Sequence, residues 1–207
     1  MKTIIILISA LLVSSSLLFS QRPKEIKNSE VEGIFVTYSD FKANKLTRPT
    51  DKQHKGDKIK LKQFFISPDI ISIEQDKEMS FYKDSIFAIQ LSNGENYRFI
   101  NRTPCLVADT SYLIIYTFKT VRTEYKQSGP HRRSKEVPIT CYYFSIPNKQ
   151  GLYMLTLDNL RKYALTSPDI HFAVCNKFTT NEMLQMVNFQ TKRFEVNETM
   201  LSVLNNH

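Results

Sequence analysis

The chain has 207 residues, 42% of them apolar and 12% aromatic, and a formal net charge of +8 at pH 7. That length and apolar content support one compact domain with a real core and exclude a disordered or low-complexity chain. Only five glycines are present, so glycine-dependent phosphate loops have few places to sit.

The first residues read MKTIIILISALLVSSSLLFSQRPKEIK. One positive charge at Lys2, an apolar run ending at Phe19 and a polar segment from Gln21 form the pattern of a secretory signal peptide. The run contains Ser9, Ser14, Ser15 and Ser16 and falls short of the ~20 apolar residues that a spanning helix needs. The expectation is a signal over residues 1–20, cleaved after Ser20, followed by a single domain over residues 21–207 with no transmembrane segment.

Residues 33–147 read mainly as strands. GIFVTY is a short β-rich run, and DFKANK after it reads as a brief helix capped by Thr37 or Ser39. Residues 48–57, with Pro49 and Gly56, read as a loop. In KIKLKQFF, Lys58, Lys60 and Lys62 alternate with Ile59 and Leu61, which sets the ammonium groups on one side of an edge strand and blocks foreign pairing. LKQFFI and IISIEQ follow as strands split by Pro68. In IFAIQLSNGENYRFI, Asn93-Gly94 predicts a two-residue hairpin turn that pairs Ala88 with Phe99. CLVADT and YLIIYTF are strands, the second apolar on both faces as a central strand is. VPITCYYFSI pairs with it through an extended hairpin whose tip lies near Ser128, Gly129 and Pro130.

Residues 155–205 change to a helical period. LTLDNLRKYAL, SPDIHFAVCNKF and TTNEMLQMVNFQTKRF read as helices with caps at Thr156, Ser167 and Thr179 or Thr180, and Thr179 with Glu182 makes a capping box. Asn197 reads as a further cap, stapled by Val196 and Leu201. The fold class is therefore α+β: a mainly antiparallel sheet over the N-terminal two-thirds, then three to four short helices. SPDI occurs twice, at residues 67–70 and 167–170, but no other self-similarity accompanies it, so it marks no repeat.

Chemistry-bearing residues are few. His171 and Cys175 stand one helical turn apart, the spacing of a thiol activated by an imidazole. They also share an i, i+3, i+4, i+7 stripe with Val174 and Phe178, the geometry of a core-facing side. Two such residues make no zinc site, which takes three or four ligands. The sequence holds no G-x-S-x-G, H-E-x-x-H, Walker loop or C-x-x-C, and points to no cofactor or metal. In an oxidising compartment, Cys105 and Cys141 are candidates for a disulfide. Asn101 and Asn197 each head an N-x-T sequon, idle under bacterial export.

The charge is concentrated. Residues 42–62 carry eight Lys and Arg against Asp51 and Asp57, and residues 122–136 carry five against two. Lys52, Lys55, Lys58, Arg122, Arg132, Arg133 and Lys135 are the candidate binding residues. An exported protein meets anionic glycans, glycolipid headgroups or another envelope protein rather than nucleic acid, and a solvated basic face that keeps the chain soluble is the alternative.

GIFVTYSDFKANK, SIFAIQLSNGENYRFIN, YYFS, LTLDNL, SPDIHF and RFEVN together resemble a group of exported proteins of unknown function from Gram-negative bacteria. The resemblance spans most of the chain after the leader. It implies a signal and an envelope location, periplasmic or secreted, and no activity, so it supplies no catalytic residue. The sequence thus reads as a non-enzymatic envelope binding or structural module with basic surface segments, the alternative being a cysteine-dependent hydrolase or transferase using Cys175 with His171. An assembly component that recruits a partner by β-addition to an exposed strand is a third possibility.

Overall fold

The computed structural model describes residues 32–46, 48–50, 58–59, 69–74, 78–128, 131–149 and 151–206. The expected leader, Lys52, Lys55 and the LKQFFI strand lie outside them. Among the described residues, eleven strands alternate at first with one short helix: β1 (Glu32–Phe35), α1 (Tyr38–Lys42), β2 (Arg48–Thr50), β3 (Lys58–Ile59), β4 (Ile70–Glu74), β5 (Glu78–Tyr82), β6 (Ala88–Gln90), β7 (Asn96–Ile100), β8 (Thr103–Asp109), β9 (Ile114–Ser128), β10 (His131–Ser145) and β11 (Tyr153–Met154). Then come α2 (Leu157–Asn159), running on as a π-turn at Leu160–Ala164, α3 (Pro168–Lys177), a 3₁₀ turn at Met183–Gln185 and α4 (Glu195–Asn205). The strands form an eight-stranded sheet in the order β11-β10-β9-β8-β7-β6-β1-β2 and a three-stranded sheet in the order β3-β4-β5. Sheet first and helices second is the α+β order that the change of period indicated.

Local chemistry explains the entries and exits. Thr37 accepts from the Asp40 N–H at 3.1 Å while the Asp40 carboxylate accepts from the Thr37 N–H at 3.1 Å, a capping box that starts α1. Accepting from the Thr37 hydroxyl holds the Asp40 carboxyl below its ordinary value. Thr156 caps α2 by accepting from the Asn159 N–H. Ser167 has the extended backbone of a cap and precedes Pro168, yet its side chain makes no capping bond. There the proline, which has no N–H to satisfy, starts α3 by itself.

Five expectations need correction. The β6–β7 register pairs Ile89 with Tyr97 and Gln90 with Asn96, one residue off the predicted pairing of Ala88 with Phe99. The Leu91 N–H donates to the Glu95 carbonyl and only Gly94, at φ 82°, takes a positive angle, so the loop holds three residues with glycine in the left-handed position. The start of the expected polar loop forms β2, where Pro49 sits opposite Gly33 on the sheet's outer edge, a place proline tolerates. The segment starting at Thr179 shortens to the 3₁₀ turn, followed by a bridge between Val187 and Phe194. Asn181 draws that segment back by accepting from the Leu157 N–H. Asn197 is no cap: α4 begins at Glu195, and the fully buried Asn197 side chain accepts from the Leu113 N–H at 3.0 Å and donates to the Leu113 carbonyl at 2.9 Å. Finally, His171 is exposed, because the buried stripe of α3 runs through Ile170, Val174 and the following Phe178.

Strand alternation sends the side chains of β9, and of Leu113 just before it, to two cores. Leu113 and Ile115, with Phe144 of β10, meet Leu160, Val174, Phe194, Val196 and Met200 of the helical layer. Ile114 and Tyr116 face the other way and join Phe35, Phe87, Ala88 and Cys105, with Tyr38 and Phe41 of α1 packed over them. β1 and β9 stand four places apart in the sheet, so their sharing of one cluster means that the sheet curls around it. A third cluster, Ile34, Ile71, Ile86 and Ile89 with Phe81 and Phe99, joins the small sheet to the outer face of β1, β6 and β7. Each fully buried Ile, Leu or Phe contributes about 1.5–3 kcal/mol, so three apolar seams hold the layers together. Among the described residues no helix is long and apolar enough to cross a membrane.

Candidate functional site

The expected extended hairpin is the most distinctive part of the molecule. β9 and β10 have 15 residues each and stay paired from Ile114–Ser145 out to Ser128–His131. β8 pairs with β9 only as far as Thr117, and β11 pairs with β10 only at Tyr143 and Phe144. Among the described strands, residues 119–128 and 131–140 therefore run on past β8 and β11 as a two-stranded ribbon, roughly 30 Å long at about 3.4 Å per residue. Val121 and Tyr125 on it are 58% and 60% exposed.

The register sorts its charges. Arg122 lies opposite Val137, Glu124 opposite Lys135, and Lys126 opposite Arg133. Opposed residues share a face and successive ones alternate, so the positions of Arg122, Lys126, Arg133 and Lys135 fall together with Glu124 as their one acidic neighbour. Arg132, opposite Gln127, falls on the other face with Lys119 and Glu136. Arg122 binds Glu124 at 2.6 Å, an exposed pair of the kind that adds little stability. Lys58 stands apart from these: it opens β3, an edge strand, opposite Glu74.

Cys175 and His171 do meet, with Sγ 3.8 Å from Nε2 on the solvent-side flank of α3. Cys175 is half-buried against the helical core, and His171 is exposed. Arg161 on the preceding π-turn reaches the same sulfur, and its hydrogen bond and charge interaction with Cys175 raise the guanidinium further above its already high value. Among the described residues, no three His, Cys, Asp or Glu gather as a metal site.

The candidate disulfide is not formed: Cys105, Cys141 and Cys175 are all free. Cys105 lies on β8 and Cys141 on β10, with β9 between them. Two inter-strand steps of about 4.8 Å exceed the ~7 Å limit for a bridge. Burial, with Cys141 adding to it, pushes the Cys105 thiol up to about 11. Cys105 also lines a cavity of about 250 Å³ with Ile100, Phe118, Tyr143 and Leu152.

Two arrangements went unnoticed in the sequence. Within the curl, the Arg98 guanidinium donates to the Tyr116 hydroxyl at 2.7 Å and lies 4.8 Å from the Phe87 ring centre. Tyr116 in turn is 2.9 Å from Ser145 Oγ. Burial raises the phenol's pKa and Arg98 works against that rise. The second is a cavity of about 350 Å³ lined by Asp69, Tyr82, Lys83, Asp84, Phe99 and Arg102. Lys83 is only 3% exposed, with its ammonium 4.8 Å from the Phe99 ring centre. Burial lowers its pKa and Asp69 partly restores it. Arg102 reaches Asp69 at 2.7 Å from a two-residue turn in which Asn101 and Arg102 both take positive φ, 47° and 68°. The signal for that turn was weak: Asn101 favours it, but arginine does not.

No family model, curated protein or solved structure matches this chain. The site must therefore be argued from its own residues. On that basis the register puts the positions of Arg122, Arg133 and Lys135 on one face of the ribbon and that of Arg132 on the other. His171 and Cys175 come together far more modestly, as one long contact at the surface.

Proposed function

We propose that this protein is an exported, non-enzymatic binding module of the bacterial envelope, and that the ribbon of β9 and β10 is its working surface. Its ligand carries repeated phosphate, sulfate or carboxylate groups, as an anionic glycan or a glycolipid headgroup does. The observation that supports this reading is the register of the ribbon, which puts the positions of Arg122, Lys126, Arg133 and Lys135 on one face of an arm that extends past the described neighbouring strands. Arg133 and Lys135 hold alternate positions of β10, about 7 Å apart along the strand, a spacing suited to successive anionic groups along a chain. Attraction between exposed charges falls within a Debye length of about 8 Å at physiological salt, so binding should be strongly salt-dependent.

The test is retention on an immobilised sulfated glycan and on vesicles containing an acidic glycolipid. Reversing Arg132, Arg133 and Lys135 to Glu changes the charge by six units on β10 alone. The variant is expected to elute at far lower salt than the parent, and equal retention of the two would reject the ribbon as the binding surface.

The Cys175–His171 contact supports a second reading, a cysteine-dependent hydrolase or transferase, with Arg161 beside the thiol as an anion-stabilising group. Iodoacetamide separates the two. An activated thiol alkylates rapidly near neutral pH and slows when His171 is changed to Ala, whereas a packing cysteine is indifferent to that change.

A further inference from the structure

The loop between the 3₁₀ turn and α4 raises an aromatic ring on a mount fixed by hydrogen bonds. It reads Asn188-Phe189-Gln190-Thr191-Lys192-Arg193, and the bridge between Val187 and Phe194 closes it below. Asparagine and threonine suit such a place because their short side chains bond to backbone groups a few residues on. The Asn188 side chain accepts from the Gln190 N–H at 2.8 Å and from the Thr191 N–H at 3.2 Å, while its backbone carbonyl accepts from the Lys192 N–H at 2.9 Å. Glu198 of α4 ties the loop to the body by accepting from the Asn188 amide at 2.9 Å and from the Thr191 hydroxyl. Lys192 is held at φ 60°, an angle that lysine seldom takes. At the top of this mount Phe189 is 84% exposed, more than any other large apolar side chain among the described residues, and Met186 and Val187 before it are exposed as well.

An exposed apolar residue by itself needs no explanation, but this one is set among cations. The Lys192 ammonium lies 4.1 Å from the Phe189 ring centre, and Arg193 beside it is exposed. Residues 186–194 contain no acid. The acids that follow are engaged below the tip, Glu195 with Lys177 at 3.0 Å and Glu198 with the loop itself. We propose that this loop docks the protein on an anionic phospholipid surface, with Phe189 entering the boundary between headgroups and acyl chains while Lys192 and Arg193 meet lipid phosphates. The cation over the ring suits that placement, because long basic side chains keep their charge at the headgroup level while their stems lie along apolar groups. A protein partner fits this tip less well: interfaces bury about 800 Å² on each side and are depleted in lysine, whereas the loop is a projection of six residues. A single acyl chain gives only marginal membrane binding, and one ring with two cations gives no more. The tip therefore orients the protein at the surface and does not hold it there by itself. The inference goes beyond the glycan reading of the ribbon and does not rest on it.

The test reads the depth of residue 189, not retention. The chain contains no tryptophan, so Phe189→Trp supplies a lone fluorophore at an exposed position where the exchange disturbs no packing. In a large excess of phosphatidylglycerol vesicles without glycolipid, its emission is expected to shift to the blue and to be quenched by spin labels on the acyl chains close to the headgroups. Phosphatidylcholine vesicles should shift it far less. Each cation near an anionic surface is worth about five-fold in partitioning, so adding K192E/R193E should weaken the vesicle-induced shift by about 25-fold or more in lipid concentration. Phe189→Ser in the parent, followed by vesicle flotation, should lower partitioning by roughly ten-fold or more. A blue shift that grows with protein concentration in the absence of lipid would assign the tip to a protein contact and overturn the proposal. So would an emission that anionic vesicles leave unchanged, an acyl-chain label that fails to quench it, or a K192E/R193E variant that responds at the same lipid concentration.

Discussion

Asn197 ties the helical layer to the sheet, and removing its amide should cost more than any surface change. The side chain is fully buried and holds both backbone groups of Leu113, itself 1% exposed, at 3.0 and 2.9 Å. Asn197→Ala leaves a buried N–H and a buried C=O without partners, at about 1–3 kcal/mol each. Water entering the space left behind recovers part of this, so a net loss of about 2–5 kcal/mol is expected. For a domain of this size each kcal/mol moves the melting temperature by about 2–4 °C, which gives a drop of roughly 4–20 °C. Asn197→Leu fills the volume without making the bonds and should lose a similar amount, which separates hydrogen bonding from packing. Thermal unfolding followed by far-UV circular dichroism measures both. Melting of either variant within about 2 °C of the parent, less than the shift that one unsatisfied group implies, would refute the reasoning.

Other outcomes follow from the same geometry. Lys83 has a lowered pKa in the folded state, so the unfolded chain holds more protons there and stability should rise with pH between the folded value and the ordinary 10.5. Measured against Lys83→Met, which cannot titrate, the parent should gain melting temperature as pH climbs towards that limit; a relative loss would contradict the sign. Cys105, 1% exposed with a thiol near 11, should resist iodoacetamide at neutral pH until the protein unfolds, whereas half-buried Cys141 and Cys175 should label first. Intact mass should be the same with and without reductant, and a two-dalton difference would show that two of the thiols do bridge. Asp109 anchors the start of α4 by accepting from the Phe194 N–H at 2.8 Å with one oxygen and from Ser111 with the other, so Asp109→Ala should also lower the melting temperature, by less than Asn197→Ala because Ser111 lies partly exposed.

The sheet-then-helix order, the central character of β9 and the long hairpin were legible because they rest on periodicity and on turn residues at Ser128, Gly129 and Pro130. Positions 114 and 116 packing on one side and 113 and 115 on the other is what alternation in YLIIYTF requires. The β6–β7 register was misread because Asn93-Gly94 suits a two-residue turn and a three-residue loop with glycine left-handed equally well. That single residue decides on which side Phe99 packs: it joins the small sheet, leaving the place inside the curl to Arg98. Asn197 looked like a cap because asparagine before a short apolar run usually is one. Its true partner, Leu113, lies 84 residues away, and no local pattern carries a contact of that range. The cavity at Lys83 was hidden for the same reason, since its walls come from β5, the β7–β8 turn and the approach to β4. The ribbon's charges were visible as composition, but which of them share a face required the register.

The central claim is that the arm binds and the body carries it. Excising residues 122–137 and closing Val121 to Pro138 through an Asn-Gly turn tests it most directly, because among the described strands the register pairs that stretch of β9 with β10 and not with β8. The account predicts a shortened protein that keeps the parent's near-ultraviolet dichroism and melts close to the parent's temperature, yet no longer binds the sulfated glycan or the glycolipid vesicles. A folded, shortened protein that still binds as tightly as the parent would contradict it.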